Sequence, residues 1–571
     1  MRRILQVFYV IFSAIISALA IQNEILPFGS PFLGLFALVP LYLTLASAQS
    51  YAEAALLTGF QTGLVHVFSS FWLGNFKDFA LFTLGASALA TAVIGAVFGC
   101  YLYLPFAQSG RKKRNGYEAP TQPLPQRTAA LTRRVLLFAA VWTVYEWAKS
   151  TGFLAYPWGT LVMTAYRWPL ITQIAAITGT WGISFLFSLF AAVVAEGLVL
   201  LPLVPYFRRG GGGEEAAYAR CGALCIVLFA VTVLYGAVAY TAERVPVKTM
   251  RTVMVQQNAD SWETGGDAQA VVVSSELTEA AISEGLARTG TRPDLVVWSE
   301  SVLSYVFPEA ESYYRSRPAE MPLVPFIRQT GVPFVIGGPV TADYEKRQYH
   351  NSALYFDKDG NYRGYYAKMQ LVPFAEVIPG AQYEWVHVLL DKIIGFSSGW
   401  TPGTELTLFT VPLPDSQTVK ISLPICFEDA FPPVCRALYE AGSEVFVNIT
   451  NDSWSKTDSA EYQHFVIASY RAIEYRTTLL RSTNSGYSVV VDPAGRILAD
   501  MPLFETASIY TEVPVYERTQ TPYALLGDWV PALCALAYAV NLVLGRTRRA
   551  DNRKKRPEKC AIPLDQSDVN C

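Results

Sequence analysis

The chain has 571 residues, of which 52% are apolar and only 16% charged, and its mean hydropathy is +0.26. Soluble domains carry about a quarter charged residues, so a purely soluble protein is excluded and much of the chain belongs in lipid. The net charge of −2 hides a clustering of basic residues in short segments, and nothing forms the basic face that nucleic-acid binding needs.

Apolar stretches need about 17–25 residues to span a bilayer. Such stretches occur near 4–21, 31–48, 54–73, 81–107, 135–155, 181–205, 219–240 and 523–545. The first opens with Met1-Arg2-Arg3 and ends Ser17-Ala18-Leu19-Ala20, which also has the form of a signal-peptide cleavage site. An uncleaved helix is the expectation, and the topology downstream is the same either way.

Orientation follows from positive charge. The 109–134 loop carries Arg111, Lys112, Lys113, Arg114, Arg127, Arg133 and Arg134. The 206–218 loop carries Arg208 and Arg209, and the tail carries Arg546, Arg548, Arg549, Arg553, Lys554, Lys555 and Arg556. The intervening loops hold no basic residue at 22–30, only Lys77 at 74–80 and only Arg167 at 157–180. Both termini and the basic loops are therefore expected in the cytoplasm. The region from about 245 to 520 is expected outside, on the periplasmic face of a bacterial inner membrane. The basic clusters would also suit lipid head groups, but topology determinants are the simpler reading. The expected division is a membrane domain of seven transmembrane helices at 1–244, an outer catalytic domain at 245–520, a last helix at 521–548 and a basic tail at 549–571.

Within the fifth stretch, Glu146 and Lys149 share one helix face. Intramembrane charges are costly and point to function, but a mutually neutralised pair near the helix end is an equal alternative. His66 reads as a packed polar residue.

The outer region alternates strands and helices, which implies an α/β layer structure. Strands are expected at 252–256, 294–298, 334–336, 352–356, 418–425, 444–449, 485–491 and 508–513. Helices are expected at 267–289, 318–330, 430–441 and 460–478. The turn Asp357-Lys358-Asp359-Gly360 closes a hairpin over 352–368, so a mixed sheet is expected.

Three stretches end in chemistry. The run Ile421–Ile425 stops at Cys426, with Glu428 and Asp429 after it. Leu295–Trp298 stops at Glu300, and Tyr365-Tyr366-Ala367 leads to Lys368 with Glu376 eight residues on. A thiol, a base and a cation for an oxyanion are the parts of covalent acyl transfer. Each has a plainer reading. Cys426 fits a small buried hydrophobe, or a disulfide with Cys435, the other cysteine of the outer region. Lys368 fits an exposed lysine and Glu300 a turn residue. Glu376 fits either an orienting partner for Lys368 or a second base. None of the eight cysteines shows metal-ligand spacing with histidine, and no metal or cofactor is expected.

The phrases Trp298-Ser299-Glu300, Lys368-x-x-Leu371-Val372-Pro373-Phe374-x-Glu376, Ile425-Cys426-Phe427-Glu428 and Asn451-Asp452-Ser453-Trp454 occur in the order seen in the nitrilase superfamily. Together with the flanking apolar stretches they resemble its membrane-bound branch, the apolipoprotein N-acyltransferases. Val255-Gln256-x-Asn258, Tyr156-Pro157-Trp158, Gln463-His464 and Arg481-x-Thr483-Asn484-x-Gly486 add to the likeness. The resemblance implies an αββα sandwich outside a membrane domain of about eight helices. It implies Glu300 as general base, Lys368 as oxyanion stabiliser and Cys426 as nucleophile, supported by Glu376, Glu428 and Trp454. Its departures are Gln257, Ala375, Phe427 and Ser455.

The activity implied is ping-pong. An acyl chain passes from a phospholipid, with phosphatidylethanolamine the expected donor, to the cysteine. It then passes to the α-amine of the diacylglyceryl-cysteine of an apolipoprotein. Both substrates are lipid-anchored, which accounts for a thiol held at the bilayer. Tyr305, Phe307, Trp385, Phe396 and Trp400 suit loops dipping into the interface, or ordinary core packing. Two alternatives stand beside this reading. One is a membrane-tethered amidase using the same triad with water as acceptor. The other is a transporter or receptor with an outer α/β domain, which leaves the matched phrases unexplained.

Overall fold

The computed structural model describes residues 2–76, 80–108, 124–152, 154–200, 214–259, 266–373, 375–377 and 400–554. Arg111, Lys112, Lys113, Arg114, Arg208, Arg209, Lys77, Trp385 and Phe396 lie outside the described residues, as do Lys555 and Arg556.

The N-terminal part is helical: α1 (Arg2–Ala20), α2 (Pro31–Phe36), α3 (Val39–Ser47), α4 (Tyr51–Ser69), α5 (Ala80–Ala107), α6 (Leu124–Lys149), α7 (Trp181–Leu200) and α8 (Glu215–Thr241). Among the described residues, the spans Arg2–Ala20, Thr83–Ala107, Trp181–Leu200 and Glu215–Thr241 are long and apolar enough to cross a membrane. The stretch expected at 31–48 is two helices instead of one span, because Pro40 enters at the start of a new helix. α4 and α6 are long but carry polar groups: Gln61 and His66 in α4, Arg134, Glu146 and Lys149 in α6.

Those polar groups are buried, and the charged ones are satisfied. Arg134, expected in a cytoplasmic loop, is inside and grips Glu196 of α7 through Nε at 2.8 Å and Nη2 at 3.2 Å. Glu146 and Lys149 do not pair with each other. The Glu146 carboxylate accepts from Trp142 Nε1, the Leu161 amide and Ser184 Oγ, while Lys149 Nζ donates to the Trp158 carbonyl. His66 bonds Ser87 at 2.7 Å.

The region from Lys248 to Val515 is a four-layer sandwich. One mixed sheet contains β1 (Lys248–Gln256), β2 (Leu295–Val297), β3 (Phe334–Asp343), β4 (Gln348–Phe356) and β5 (Tyr362–Ala367), with a last strand, β12 (Ala507–Val515), on the other edge beside β1. The second contains β6 (Leu408–Pro412), β7 (Thr418–Ser422), β8 (Val445–Thr450), β9 (Thr478–Thr483), β10 (Val489–Val491) and β11 (Ile497–Asp500) in spatial order 11-10-9-8-7-6. Each has parallel strands at its centre, β1-β2-β3 and β7-β8-β9, and antiparallel strands at its edges.

Period-two alternation builds the layers. On β1, Met250 and Met254 face the second sheet in one core, while Val253 and Val255 face the helices α9 (Gly266–Thr289) and α10 (Leu323–Thr330) in another. Ser482 of β9 donates to the carbonyls of Val255 and Val297, tying the two sheets together. Phe307 belongs to this core, being fully buried, whereas Tyr305 is half exposed.

Outside the second sheet lie α11 (Pro432–Glu440) and α12 (Asp458–Tyr475). Thr457 caps α12 by accepting the Ala460 amide, and Asp458 and Glu461 suit its positive end. Nearly all of α12 is buried, Asp458 and Tyr462 being the exceptions. One face meets the sheet and the other meets the membrane helices, where Gln463 Nε2 donates to the carbonyls of Gln22 and Ser69, and Tyr470 donates to that of Val162. The chain ends in α13 (Pro522–Leu526) and α14 (Trp529–Lys554), separated at Gly527, whose φ is +61°.

Several boundaries differ from expectation. The helix expected at 318–330 starts at Leu323, after Pro318 and Pro322. The helix expected to reach 478 ends at Tyr475, because Arg476 turns left-handed at φ +50°. The strand Thr478–Thr483 then takes the place expected for helix and loop.

Candidate active site

The three expected residues lie at the ends of strands from both sheets. Glu300 follows β2, Lys368 follows β5 and Cys426 opens the 3₁₀ turn Cys426–Ala430 beyond β7. Cys426 has φ +54°, a conformation costing about 1–3 kcal/mol for a non-glycine residue unless its surroundings enforce it. They do: Asn448 Nδ2 donates to the carbonyls of Pro424 at 3.1 Å and Cys426 at 2.8 Å.

Lys368 is buried between two carboxylates. Its Nζ donates to Glu376 Oε1 at 2.9 Å and, more loosely, to Glu300 Oε1 at 3.4 Å. Asn351 on β4 holds both acids, donating through Nδ2 to Glu300 Oε1 at 2.7 Å and Glu376 Oε1 at 2.9 Å. The Asn451 amide fixes the second Glu300 oxygen at 2.9 Å, and the Val372 amide the second Glu376 oxygen at 2.8 Å. Glu376 therefore orients Lys368 and Asn351.

The electrostatics follow from this packing. Burial raises Glu300 above the ordinary carboxylate range, while the Lys368 charge pulls it back. Burial, then the Glu300 charge, push the Cys426 thiol well up against the pull of Lys368. Burial opposes the Lys368 charge, but Cys426, Glu300 and Glu376 more than offset it, and its pKa stands well above normal. The resting site is thus a neutral thiol beside an ammonium and carboxylates.

Glu428 is held by backbone amides beside this centre. Its oxygens accept the amides of Met369 (2.7 Å), Gln370 (3.0 Å) and Ile425 (2.7 Å) and the Tyr366 hydroxyl. It braces the cysteine turn against the lysine strand. Cys435 is buried, and both it and Cys426 are free thiols.

Residues 254–523 match the carbon-nitrogen hydrolase family, and residues 13–193 match the N-terminal domain of apolipoprotein N-acyltransferase. Apolipoprotein N-acyltransferase 2 of Treponema denticola is 43% identical over 96% of this chain and 99% of its own length. The chain belongs to the apolipoprotein N-acyltransferase family. The Treponema pallidum protein of the same name is 42% identical over 92% of each chain. A solved carbon-nitrogen hydrolase from Helicobacter pylori G27 matches 47% of this chain and 89% of its own, with 19% identity and a TM-score of 0.33. As a member of this family the chain is a membrane acyltransferase with a nitrilase-like domain.

In this N-acyltransferase the cysteine turn meets the connections between the N-terminal helices through aromatic rings. Phe427 stacks on Trp158 at 6.4 Å, and Lys368 Nζ lies 5.3 Å from the Phe427 ring centre. Trp454 packs on Trp72 and Phe76, and Trp72 donates to Gln463. Phenylalanine at position 427 thus supplies a ring face, where tyrosine would also supply a hydroxyl.

A second cluster supports the site from behind. His464 Nδ1 contacts Asp452 at 2.7 Å and Nε2 contacts Asp429 at 3.0 Å, while Arg481 Nε donates to Asp429 at 2.9 Å. Burial alone would lower His464, but the two aspartates, opposed by Arg481, raise it to about 9. Asn351 and Asp429 were not singled out for chemistry from the sequence. The available signals were an asparagine opening an apolar strand, and a second acid after the cysteine in a run with no solvent-facing period.

Proposed function

We propose that this enzyme completes lipoprotein maturation by a two-step, ping-pong transfer in which Glu300 is the base, Lys368 the oxyanion partner and Cys426 the nucleophile. In the first step Glu300 takes the thiol proton and the sulfur attacks a phospholipid acyl carbonyl. Lys368 offsets the charge on the tetrahedral oxygen. The ester bond breaks, Glu300 returns the proton to the leaving alkoxide, and a lysophospholipid departs from a Cys426 thioester. In the second step the α-amine of a diacylglyceryl-cysteine attacks that thioester. Glu300 takes an amine proton and gives it to the departing thiolate, leaving an amide.

The observation that carries this reading is the Lys368 ammonium shared by Glu300 and Glu376 beside a cysteine on a strained turn. That turn packs through Phe427 on Trp158 of the N-terminal domain, which suits substrates that cannot leave the bilayer. Phosphatidylethanolamine is the proposed donor, Glu376, Glu428 and Trp454 are the supporting residues, and the proposed domain limits are 1–244, 245–520, 521–548 and 549–571. The basic-loop asymmetry supports a catalytic domain on the periplasmic face of the inner membrane. A reporter fused after Arg549 is expected to be active in the cytoplasm, and activity confined to the periplasm would reverse this topology.

The test is the intact mass of the full-length protein after incubation with phospholipid. An added acyl mass removed by hydroxylamine and absent in Cys426→Ser is expected. An acyl adduct that persists in Cys426→Ser would place the nucleophile elsewhere.

A further inference from the structure

A cavity of about 390 Å³ lies where the C-terminal end of α8 meets the outer domain, within the size range of small-ligand sites. Its lining includes Tyr166, Thr172, Tyr240, Tyr470, Ile473 and Arg496. It is a different place from the Cys426 site. The cysteine turn packs on α12 near His464, whereas the cavity uses Ser469, Tyr470 and Ile473 of the same helix.

The surroundings have two chemistries. Below the cavity, α8 presents Val231, Leu234 and Val238, all well exposed, as a lipid-facing helix does. At the mouth, Ile497 and Leu498 are exposed beside Arg496. Tyrosine and arginine at the end of an apolar helix mark the headgroup level.

Three arginines, Arg496, Arg476 and Arg244, gather here, with the acids Asp492, Asp500 and Glu243 nearby. Arg496 lies over the Tyr240 ring at 4.5 Å, donates to the Tyr240 carbonyl and reaches Asp492 at 3.4 Å. Its side chain remains 40% exposed. Arg476 lies behind the wall, donating to Gln173 and the Pro493 carbonyl. Among the described residues, Arg244, at the exit of α8, donates only to the backbone carbonyl of Ala239. Burial and then the Arg244 charge depress Arg476, opposed by Tyr235. The nearby acids are engaged: Asp492 by the Ala494 and Arg496 amides, Asp500 by the Tyr487 hydroxyl. Among the described residues Glu243, exposed beside Arg244, makes no ion pair.

We propose that this cavity holds the phosphate headgroup of a second phospholipid, whose chains lie along α8 and which is distinct from the acyl donor at Cys426. The arginine guanidinium suits phosphate, and its exposed donors supply the charge-assisted bonds. The proposal rests on the chain being a membrane protein and not on the thioester chemistry.

Full-length protein carrying Cys426→Ser, which removes the thiol, is reconstituted in phosphatidylethanolamine nanodiscs and examined by native mass spectrometry. A retained phospholipid mass is expected, reduced about tenfold by Arg496→Gln, as for loss of a charged hydrogen-bonding partner. Ile497→Trp, which fills the mouth and keeps the arginine, is expected to displace it as well, while Arg496→Lys retains it. Undiminished retention in both Arg496→Gln and Ile497→Trp overturns the proposal. Equal loss in Arg496→Lys and Arg496→Gln with lowered melting curves also overturns it, in favour of a structural arginine. No phospholipid mass on the Cys426→Ser protein, with inorganic phosphate binding there at millimolar concentration instead, overturns the lipid assignment.

Discussion

Glu428 accepts the backbone amide of Met369 at 2.7 Å, so the residue after the candidate oxyanion lysine is tied to the second residue after the candidate nucleophile. The same carboxylate closes on Ile425 and Tyr366. Glu428→Gln replaces an acceptor with a donor facing an amide. Leaving such buried groups unpaired costs about 1–3 kcal/mol. The expected result is a lower melting temperature together with slower acylation of Cys426. Tyr366→Phe, which removes one neutral partner, should do less. A Glu428→Gln protein that melts and acylates normally would remove the brace from this account.

The raised thiol of Cys426 gives a pH signature. Its thiolate fraction grows as pH rises toward a folded pKa well above the ordinary cysteine value, so alkylation by iodoacetamide should accelerate from pH 7 to 9 without levelling. A plateau below pH 8 is the result that contradicts this. Glu300→Gln removes the nearest raising charge, so chemical alkylation at fixed pH should not fall. Acylation by phospholipid should fall about 10²–10⁴-fold, as for a lost general base. Equal falls in both reactions would indicate a displaced cysteine instead of a missing base.

Gly337 on β3 tests how tightly the Glu300 turn is held. A Cβ there would lie 2.5 Å from Glu300 Cα and 2.6 Å from the Ser299 carbonyl oxygen, both backbone atoms with no side-chain freedom to move away. Gly337→Ala should shift the turn and cost about 1–3 kcal/mol, with acylation reduced more than stability alone explains. The measurement is a melting curve beside single-turnover acylation. Wild-type values in both would show that the turn tolerates displacement.

His464 sits between Asp429 and Asp452 with its pKa raised to about 9. A folded-state pKa above the unfolded value means that its stabilisation is fully present below about pH 6.5 and is lost as pH climbs through about 9. By linkage this amounts to on the order of 3 kcal/mol. The wild type should therefore lose melting temperature between pH 6.5 and 9 by more than His464→Gln does. Parallel curves for the two proteins would show that the histidine carries no linked proton.

The sequence marked the ends of the strands better than it marked what stands between them. Cys426, Glu300 and Lys368 were visible because each closes an apolar run. Asn351 was not, because a single asparagine within a strand looks the same whether it faces solvent or two carboxylates. Its partners come from β2 and the loop after β5, and only tertiary pairing joins them. α12 misled for a related reason. It is buried on two faces, against the second sheet and against Gln22, Ser69 and Val162, so its end had no polar stripe to mark it. The left-handed Arg476 that stops it carries no glycine signal. The helices divided at Pro40 and at Gly527 were legible as apolar stretches, but continuity was the wrong inference where proline or glycine intervenes. The roles of Glu146 and Lys149 needed the fold as well, since their partners lie at Leu161, Ser184 and Trp158.

Lys368→Met is the most direct test of the proposed chemistry. Methionine keeps most of the stem and its packing but removes the charge. Two consequences have to be separated. The ammonium lies 2.9 Å from Glu376 and 3.4 Å from Glu300, so its loss leaves the buried Glu300 facing the partly buried Glu376 across Asn351. Glu300 should then take up a proton more readily, which lowers the melting temperature more at pH 8 than at pH 6. A purely structural lysine would show only that pattern. If the ammonium also meets the developing oxyanion, both formation and breakdown of the thioester must slow, because the tetrahedral oxygen forms in each step. Losing one preorganised donor costs on the order of 10²–10³ in rate, about 3–4 kcal/mol. The measurements are acylation of Cys426 from phospholipid and transfer to a diacylated peptide amine, each in a single turnover. They are made at pH 6, where the variant is best folded. A folded Lys368→Met protein that acylates Cys426 at the wild-type rate would show that another group meets the oxyanion, and the role assigned to Lys368 would have to be withdrawn.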